Sequence, residues 1–451
     1  MIGPTSQWGS MFRNIKTPEV SDKYTLKVMR INLDGSTKDI TVIPPFGYKF
    51  DLDSFFHTLP DTNLYPYIKL VAELSDSNLT VPQLDKWQVV YRGVPEGTLN
   101  PTAAGNIAQY NFFTKEEGEK VPLSFVFENI SNIDFSKPVK VKFTITNQSG
   151  KVLTDTMTLV AIQKGQQVTF NYTINSVGFE GTNVFQVFVN PYAQPEQYFD
   201  NNILQISFTI EKDKTNPILD VAFDGQHIMN GDIVSPSPLI SINLNDENKF
   251  LIVNNPQNIQ VFLQKPGQAT PAQIDMTSSD IISWGHVTGS TNTFRIEYNP
   301  KNLPDGAYTL IVQGIDVSGN KSAAQRYEIK FEVINEVSIT YFYPYPNPFS
   351  SSTRFVFTLT GNEIPEDIKI QIMTVTGKVI REITKSEIGM IHIGNNKTDY
   401  AWDGTDEFGD RLANGVYLYR VLLKGADDFK HRQTAGDKSF KKDWGKLYIL
   451  R

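Results

Sequence analysis

Short runs of alternating apolar and polar residues, separated by turn residues, recur along the whole length of this 451-residue chain. The stretch 368–373 is typical, because its apolar positions 368, 370 and 372 would share one face of a strand. Long apolar stretches with a helical period are missing. A chain of this length has room for three or four domains, each with its own core. We therefore predict an all-β protein built of tandem β-sandwiches.

The composition excludes several kinds of chemistry. The chain has no cysteine, which removes disulfides, thiolate metal sites and a cysteine nucleophile. Its five histidines are scattered and lack the spacing of a zinc-binding pair. No nucleophile elbow, phosphate-binding loop or dinucleotide-binding glycine motif occurs. We therefore predict that the chain is not an enzyme and has no catalytic residue, no metal site and no cofactor.

Charge and hydropathy limit the partners. A net charge of −7 is spread over the chain and leaves no basic face for nucleic acid. No apolar run approaches the ~20 residues that a membrane-spanning helix needs. The first residues also lack the charged start and apolar centre of an export signal. We expect neither a nucleic-acid partner nor a transmembrane segment.

Residues 1–118 are predicted to form a jelly-roll-like sandwich. Strands are expected at 24–31 and 39–43, joined by a turn that contains Asp34-Gly35, since this pair accepts the backbone of a tight hairpin. Trp8, Trp87 and Tyr91 offer faces on which a sugar could stack. Aromatic residues more often fill a β core, and we prefer that interpretation here.

Residues 119–213 end in a pattern that resembles the CARDB domain, an adhesion-related bacterial family. In that family a glutamate and two adjacent asparagines precede the last strand, and Glu196, Asn201 and Asn202 match them. The resemblance implies an immunoglobulin-like sandwich. Asp200 and the two asparagines offer oxygen ligands for calcium, but such residues more often cap a turn, which is the interpretation that we prefer.

Residues 214–337 resemble a bacterial immunoglobulin-like repeat. The domain opens at Asp213-Lys-Thr-Asn-Pro217 and contains Gly306-Ala-Tyr-Thr-Leu310, in which Tyr308 is expected to fill the core. The sequence Asp246-Glu-Asn248 is a second possible calcium corner. Nothing else in this domain indicates a site.

Residues 338–451 carry ordered motifs: Asn-Pro-Phe at 347–349, Thr-Gly-Lys-Val at 376–379, Trp-Asp-Gly at 402–404 and Gly-Val-Tyr at 415–417. This order resembles the FlgD-type immunoglobulin-like fold and the C-terminal sorting domain of the bacterial type IX secretion system. The resemblance implies that the motif residues identify the domain to export machinery. They are Pro346, Asn347, Pro348, Phe349, Gly377, Trp402, Asp403, Gly404, Asp406, Gly409, Gly415, Tyr417 and Arg451.

Two features of this last domain have alternative interpretations. Residues 403–410 hold four carboxylates but not the spacing of an EF-hand loop, so we prefer a turn between strands. Residues 420–451 hold nine Lys or Arg and four Asp, a local net charge of +5. They form either a solvated hairpin over 425–444 or a face read by acidic export machinery or an anionic membrane.

The four domains together resemble the C-terminal half of gingipain-like cysteine peptidases related to the type IX sortase. The peptidase domain of that family lies upstream and uses a Cys-His pair, so no family catalytic residue has a counterpart here. The resemblance implies a spacer or adhesion arm with a type IX targeting domain. The expected partners are the translocon and its shuttle proteins, after export through the periplasm to the outer-membrane surface or the exterior. The alternative is an arm that binds glycan or protein and positions a peptidase supplied upstream.

Overall fold

The computed structural model of the protein describes residues 1–78, 81–105, 107–424, 430–431, 440–441 and 444–451. Nearly all regular structure in these residues is β, which confirms the predicted all-β fold of tandem β-sandwiches. The chain divides into two compact units, Met1–Asp213 and Lys214–Arg451, and each is described by itself. No helix in the described part of the chain is long and apolar enough to cross a membrane.

The N-terminal unit begins with two three-stranded sheets, in the strand orders β4-β1-β6 and β3-β2-β5. The elements are β1 Gln7–Lys16, β2 Lys23–Ile31, β3 Thr41–Val42, β4 Lys49–Asp51, α1 Leu52–His57, β5 Tyr67–Ser75 and β6 Gln83–Arg92. The hairpin predicted around Asp34-Gly35 is present, because β2 and β3 pair antiparallel. Trp8 is buried in the core of this sandwich, Trp87 is half-buried against it, and Tyr91 is exposed.

A second sandwich completes this unit, with sheets in the orders β11-β10-β13-β14-β8 and β12-β9-β7. Its strands are β7 Gly97–Leu99, β8 Phe113–Glu116, β9 Lys120–Asn129, β10 Val139–Asn147, β11 Val152–Leu159, β12 Gln167–Asn175, β13 Gly181–Val189 and β14 Ile203–Glu211. Inward-facing phenylalanines dominate the core, because alternate positions of the strands point between the sheets. Strand β7 pairs with β9, and β8 lies parallel to β14. By strand pairing, this sandwich therefore begins before the predicted boundary at 118.

The C-terminal unit begins with a sandwich whose sheets have the orders β15-β17-β21-β20 and β16-β23-β22-β18-β19. Its strands are β15 Ile218–Phe223, β16 Asp232–Val234, β17 Ile240–Asn245, β18 Ile259–Gln264, β19 Ala272–Gln273, β20 Ile281–His286, β21 Thr293–Tyr298, β22 Gly306–Gly314 and β23 Tyr327–Val333. Tyr308 is buried, as predicted, with its ring stacked on Phe331 at 5.3 Å between centroids. Its hydroxyl donates to the carbonyl of Pro304 at 2.9 Å, which satisfies the polar end of the side chain.

The last sandwich has sheets in the orders β28-β25-β24-β30 and β27-β26-β29-β32-β31. Its elements are β24 Ser338–Tyr345, β25 Arg354–Thr360, β26 Asp367–Met373, β27 Val379–Ile383, α2 Lys385–Ile388, β28 Gly394–Lys397, β29 Gly415–Lys424, β30 Lys430–His431, β31 Phe440–Lys441 and β32 Trp444–Ile449. Alternation along β26 buries Ile368, Ile370 and Ile372, as predicted. The hairpin predicted over 425–444 lies almost wholly outside the described residues.

Candidate functional site

Several of the predicted sorting-motif residues meet around the last strand, β32. Phe349 is buried, and its backbone is tied to this strand at both sides. Its N–H donates to the carbonyl of Tyr448 at 3.1 Å, and its own carbonyl accepts from the N–H of Leu450 at 2.9 Å. The Asn-Pro-Phe segment therefore adds a short strand-like edge to β32.

Asn347 supports the same strand through its side chain. Its Oδ1 accepts from the N–H of Tyr448 at 2.9 Å, and its Nδ2 donates to the carbonyl of Lys446 at 3.0 Å. An asparagine amide supplies one acceptor and a donor group, so a single side chain satisfies two backbone groups of a neighbouring strand. The prolines on either side, Pro346 and Pro348, both follow cis peptide bonds.

Trp402 joins this segment to the turn that follows it. The indole is fully buried, lies 5.5 Å from the ring of Phe349 and donates from Nε1 to the carbonyl of Thr405 at 2.8 Å. The backbone of Trp402 also exchanges two hydrogen bonds of 2.8 Å with Thr353. The tryptophan therefore links the core, the 403–405 turn and the start of β25.

Arg451 is fixed by the same turn. Its Nη2 donates to the carbonyl of Asp403 at 2.5 Å, and its Nη1 donates to the carbonyl of Leu412 at 3.1 Å. The Asn414 side chain clamps the backbone of Arg451, accepting from its N–H and donating to its carbonyl, both at 3.0 Å. Gly404 makes room for the arginine, because a Cβ there would lie 2.6 Å from Nη2.

The other predicted motif residues lie in turns or on β29. Gly415 and Tyr417 lie opposite Ile449 and Leu447 of β32. Gly377 and Gly409 have φ of +90° and +89°, which favours glycine. Asp406 accepts from the N–H groups of Phe408 and Asp410, so this carboxylate holds a turn in the 403–410 loop. Gly415 opens β29, and the Tyr417 hydroxyl donates to the carbonyl of Ala413 at 2.8 Å.

The CARDB-like residues form a second, buried cluster in the N-terminal unit. Glu196 is fully buried and accepts from the N–H of Gly97 at 2.7 Å, from Nδ2 of Asn190 at 2.5 Å and from Nδ2 of Asn202 at 2.8 Å. Asn201 turns the other way and donates to Glu96 at 2.7 Å. The motif therefore closes the 190–202 loop on the segment that enters the second sandwich.

Glu96 is the counterpart of Glu196 in this cluster. It accepts from the N–H groups of Gln197 and Tyr198, both at 3.0 Å. Glu96 therefore binds the 190–202 loop from a separate segment, whereas Glu196 belongs to the loop and binds its two ends. Neither Glu96 nor Asn190 was predicted. A glutamate next to Val94 and Pro95 in an otherwise apolar segment is the signal that sequence reasoning missed.

Burial controls the electrostatics of the cluster. Desolvation raises the pKa of Glu196 to about 8, although hydrogen bonds from Asn190, Gly97 and Asn202 oppose the rise and the charge of Glu96 adds to it. The amide nitrogens of Asn201 and Asn202 are directed at these glutamates, whereas Asp200 is exposed. The two asparagines therefore act here as donors to buried carboxylates, and the turn-capping role expected of their oxygens is not seen.

The residues of the second possible calcium site, Asp246 and Asn248, form hydrogen bonds within the third sandwich. Oδ1 of Asn248 accepts from the N–H groups of Phe250 and Leu251 at 2.8 and 3.0 Å. The Asp246 carboxylate accepts from Nδ2 of Asn292 at 3.2 Å. Both side chains hold backbone or amide groups within the third sandwich.

No family model and no curated protein matches the chain. Among solved structures, dimeric latent PorU from Porphyromonas gingivalis aligns over 75% of this chain and 34% of its own, with 16% identity and a TM-score of 0.22. The CARDB domain of PF1109 from Pyrococcus furiosus, in complex with di-metal ions, aligns over 26% of this chain and 96% of its own. Its identity is 13% and its TM-score 0.20. A marsupial T cell receptor aligns over 68% and 94% of the two chains, with 10% identity and a TM-score of 0.20.

The chain thus spans about a third of the length of the PorU chain with which it aligns. These identities and TM-scores establish no family.

Proposed function

We propose that residues 338–451 are a sorting domain of the type IX kind and that the three preceding sandwiches are a non-catalytic arm displayed at the cell surface or outside the cell. The arrangement around β32 carries the proposal. The Asn347–Phe349 segment, Trp402 and Arg451 are far apart in sequence, yet each of them contacts β32 or the 403–405 turn. Export machinery that recognises a folded domain needs a fixed surface, and this arrangement provides one.

We expect the export machinery to recognise the outer side of β32. Leu447 and Ile449 point into the core, whereas Lys446, Tyr448 and Leu450 alternate with them and are exposed. Val416 lies opposite Tyr448 on the neighbouring strand and is also exposed. A mixed apolar and cationic stripe at a rigid sheet suits contact with a protein partner, here the translocon or a shuttle protein.

The rest of the chain fits the role of an arm. The first three sandwiches have separate cores, and the chain has no cysteine for the Cys-His chemistry of gingipain-like peptidases. Under this proposal the family resemblance concerns architecture and export, and any peptidase activity belongs to a domain supplied upstream.

An export assay tests the proposal. The full chain is fused behind a periplasmic reporter that carries its own signal peptide, in bacteria with and without a working type IX translocon. We expect the reporter at the surface or in the medium only when the translocon works. Removal of residues 338–451 should leave the reporter in the periplasm, because the sorting surface is lost.

The matched control removes residues 1–213, which form a compact unit of their own, and should leave export intact. Translocon-dependent export of the chain that ends at 337 would contradict the proposal. Retention of the full chain in the periplasm of both strains would contradict it as well.

A further inference from the structure

A cleft of about 670 Å³ lies in the N-terminal unit, where the first sandwich meets loops of the second. Trp8, Phe56 and Tyr65 line it from the first sandwich, and Ile133 and Pro195 line it from the second. Ligand-binding clefts usually measure ~300–1,000 Å³. The cleft is therefore large enough for a small ligand or the end of a peptide.

Arg30 borders this cleft with an unusual environment for a cation. The residue is only 4% exposed. Its Nη1 donates to the carbonyl of Asp61 at 2.6 Å, and its guanidinium lies 4.6 Å from the ring centroid of Tyr65. Its Nε is buried without a hydrogen-bond partner. A buried cation is costly unless an anion compensates it.

No carboxylate among the described residues forms an ion pair with Arg30. Asp61 offers this arginine only its backbone carbonyl. The Asp61 carboxylate instead accepts from the Tyr65 hydroxyl and pairs with Lys38 at 3.4 Å. The positive charge beside the cleft is therefore left without a partner of opposite sign in this part of the structure.

Two more cations line the cleft, and the acids there have other partners. Arg92 and Lys137 are exposed and form no ion pair within the described part of the N-terminal unit. Asp53 accepts from Nε2 of Gln7 at 3.2 Å, and Asp134 accepts from the N–H of Lys164 at 2.7 Å. These donors are uncharged, so both carboxylates keep their charge, and the three cations exceed them by one. This excess of positive charge favours a ligand that brings its own negative charge.

The remaining walls define the rest of the ligand. Leu64, Val94 and Ile133 line the cleft together with the three cations. The exposed Arg92 can offer its guanidinium fork to the two oxygens of a carboxylate, while Arg30 contributes its charge from the wall. Aliphatic walls accept an apolar group beside the carboxylate. We propose that this cleft binds a carboxylate flanked by an apolar group, with Arg30 and Arg92 as its anchors. A peptide C-terminus that ends in an aliphatic residue and a free branched-chain carboxylate both present this chemistry.

Calorimetric titration of the full chain tests the proposal with three probes. They are the tripeptide Ala-Ala-Leu, the same peptide with an amidated C-terminus, and 4-methylpentanoate. We expect the free peptide to bind and the amidated peptide to bind at least about tenfold more weakly, because it lacks the charge that Arg30 needs. Binding of 4-methylpentanoate as tight as that of the free peptide would identify a small carboxylate as the source. Weaker binding would identify the peptide terminus.

Three variants separate binding from folding. Arg30→Met should weaken binding of the free peptide by about tenfold or more, and so should Arg92→Met at the exposed position. Arg13→Met is the matched control, since Arg13 is also buried, lies over Tyr24 and Phe46, and does not line the cleft. Absence of binding by all three probes would overturn the proposal. Equal binding by the free and amidated peptides, or unchanged binding in the folded Arg92→Met variant, would also overturn it.

Discussion

Replacing Trp402 with alanine is expected to lower the free energy of unfolding of the last sandwich by about 3–5 kcal/mol. The indole is 0% exposed, packs on Phe349 and donates to the carbonyl of Thr405. The substitution removes a large buried side chain and leaves that carbonyl without its partner. Scanning calorimetry of the full chain should show one transition at lower temperature. Hydrogen exchange should speed up in β25, β26 and β29.

Trp284→Ala is the matched control for this variant. Trp284 belongs to the third sandwich and is 48% exposed, so its loss should cost less than about 1 kcal/mol. Two results would contradict the role given to Trp402. One is a decrease in the free energy of unfolding as small as that of Trp284→Ala. The other is faster hydrogen exchange that is confined to the third sandwich.

Raising the pH from 5 to 8 is expected to destabilise the second sandwich by several kcal/mol through Glu196. Burial raises the pKa of this carboxyl to about 8 in the folded protein, from 4.5 in the unfolded chain. Between these values the unfolded chain releases the proton while the folded protein keeps it, so stability falls as pH rises. Below pH 4.5 and above pH 8 this carboxyl does not make the free energy of unfolding depend on pH. Each unit of pKa difference corresponds to about 1.4 kcal/mol.

Glu196→Gln should remove this slope, because the amide does not titrate. Urea denaturation at several pH values between 5 and 9 measures the pH dependence of the free energy of unfolding. A short hydrogen-exchange pulse, followed on peptides from β9 and β13, reports the unfolding of the second sandwich. The difference between the parent protein and the variant isolates Glu196 from other carboxyls. Glu211→Gln, at an exposed position near the end of β14, should keep the parent slope. Identical slopes for the parent protein and Glu196→Gln would contradict the raised pKa.

The sequence predicts local structure well wherever a pattern of period two or a turn residue decides it. The hairpin at Asp34-Gly35, the buried face of β26 and the position of Tyr308 all follow from such patterns. These features depend on neighbours in sequence or on a simple alternation. The confirmed all-β fold depends on the sum of many such patterns.

Other features depend on contacts that no local pattern encodes. Glu96 meets the 197–201 loop about a hundred residues away, and Arg30 gains its environment from Asp61 and Tyr65. Likewise, β7 pairs with β9 across the intervening residues 100–119. Pairing between distant residues is decided by tertiary packing, so the start of the second sandwich and the residues of the cleft emerge only from the structure.

The parallel pairing of β8 with β14 determines how the second sandwich would bear mechanical load. These strands lie near the two ends of the sandwich and run side by side from Phe113 and Phe208 to Glu116 and Glu211. Once β7 has been pulled away, tension along the chain draws β8 and β14 in opposite directions along their length. Their hydrogen bonds lie across the direction of pull and share the force at once. A sandwich built in this way resists stretching by shear, because its terminal strands cannot separate one hydrogen bond at a time.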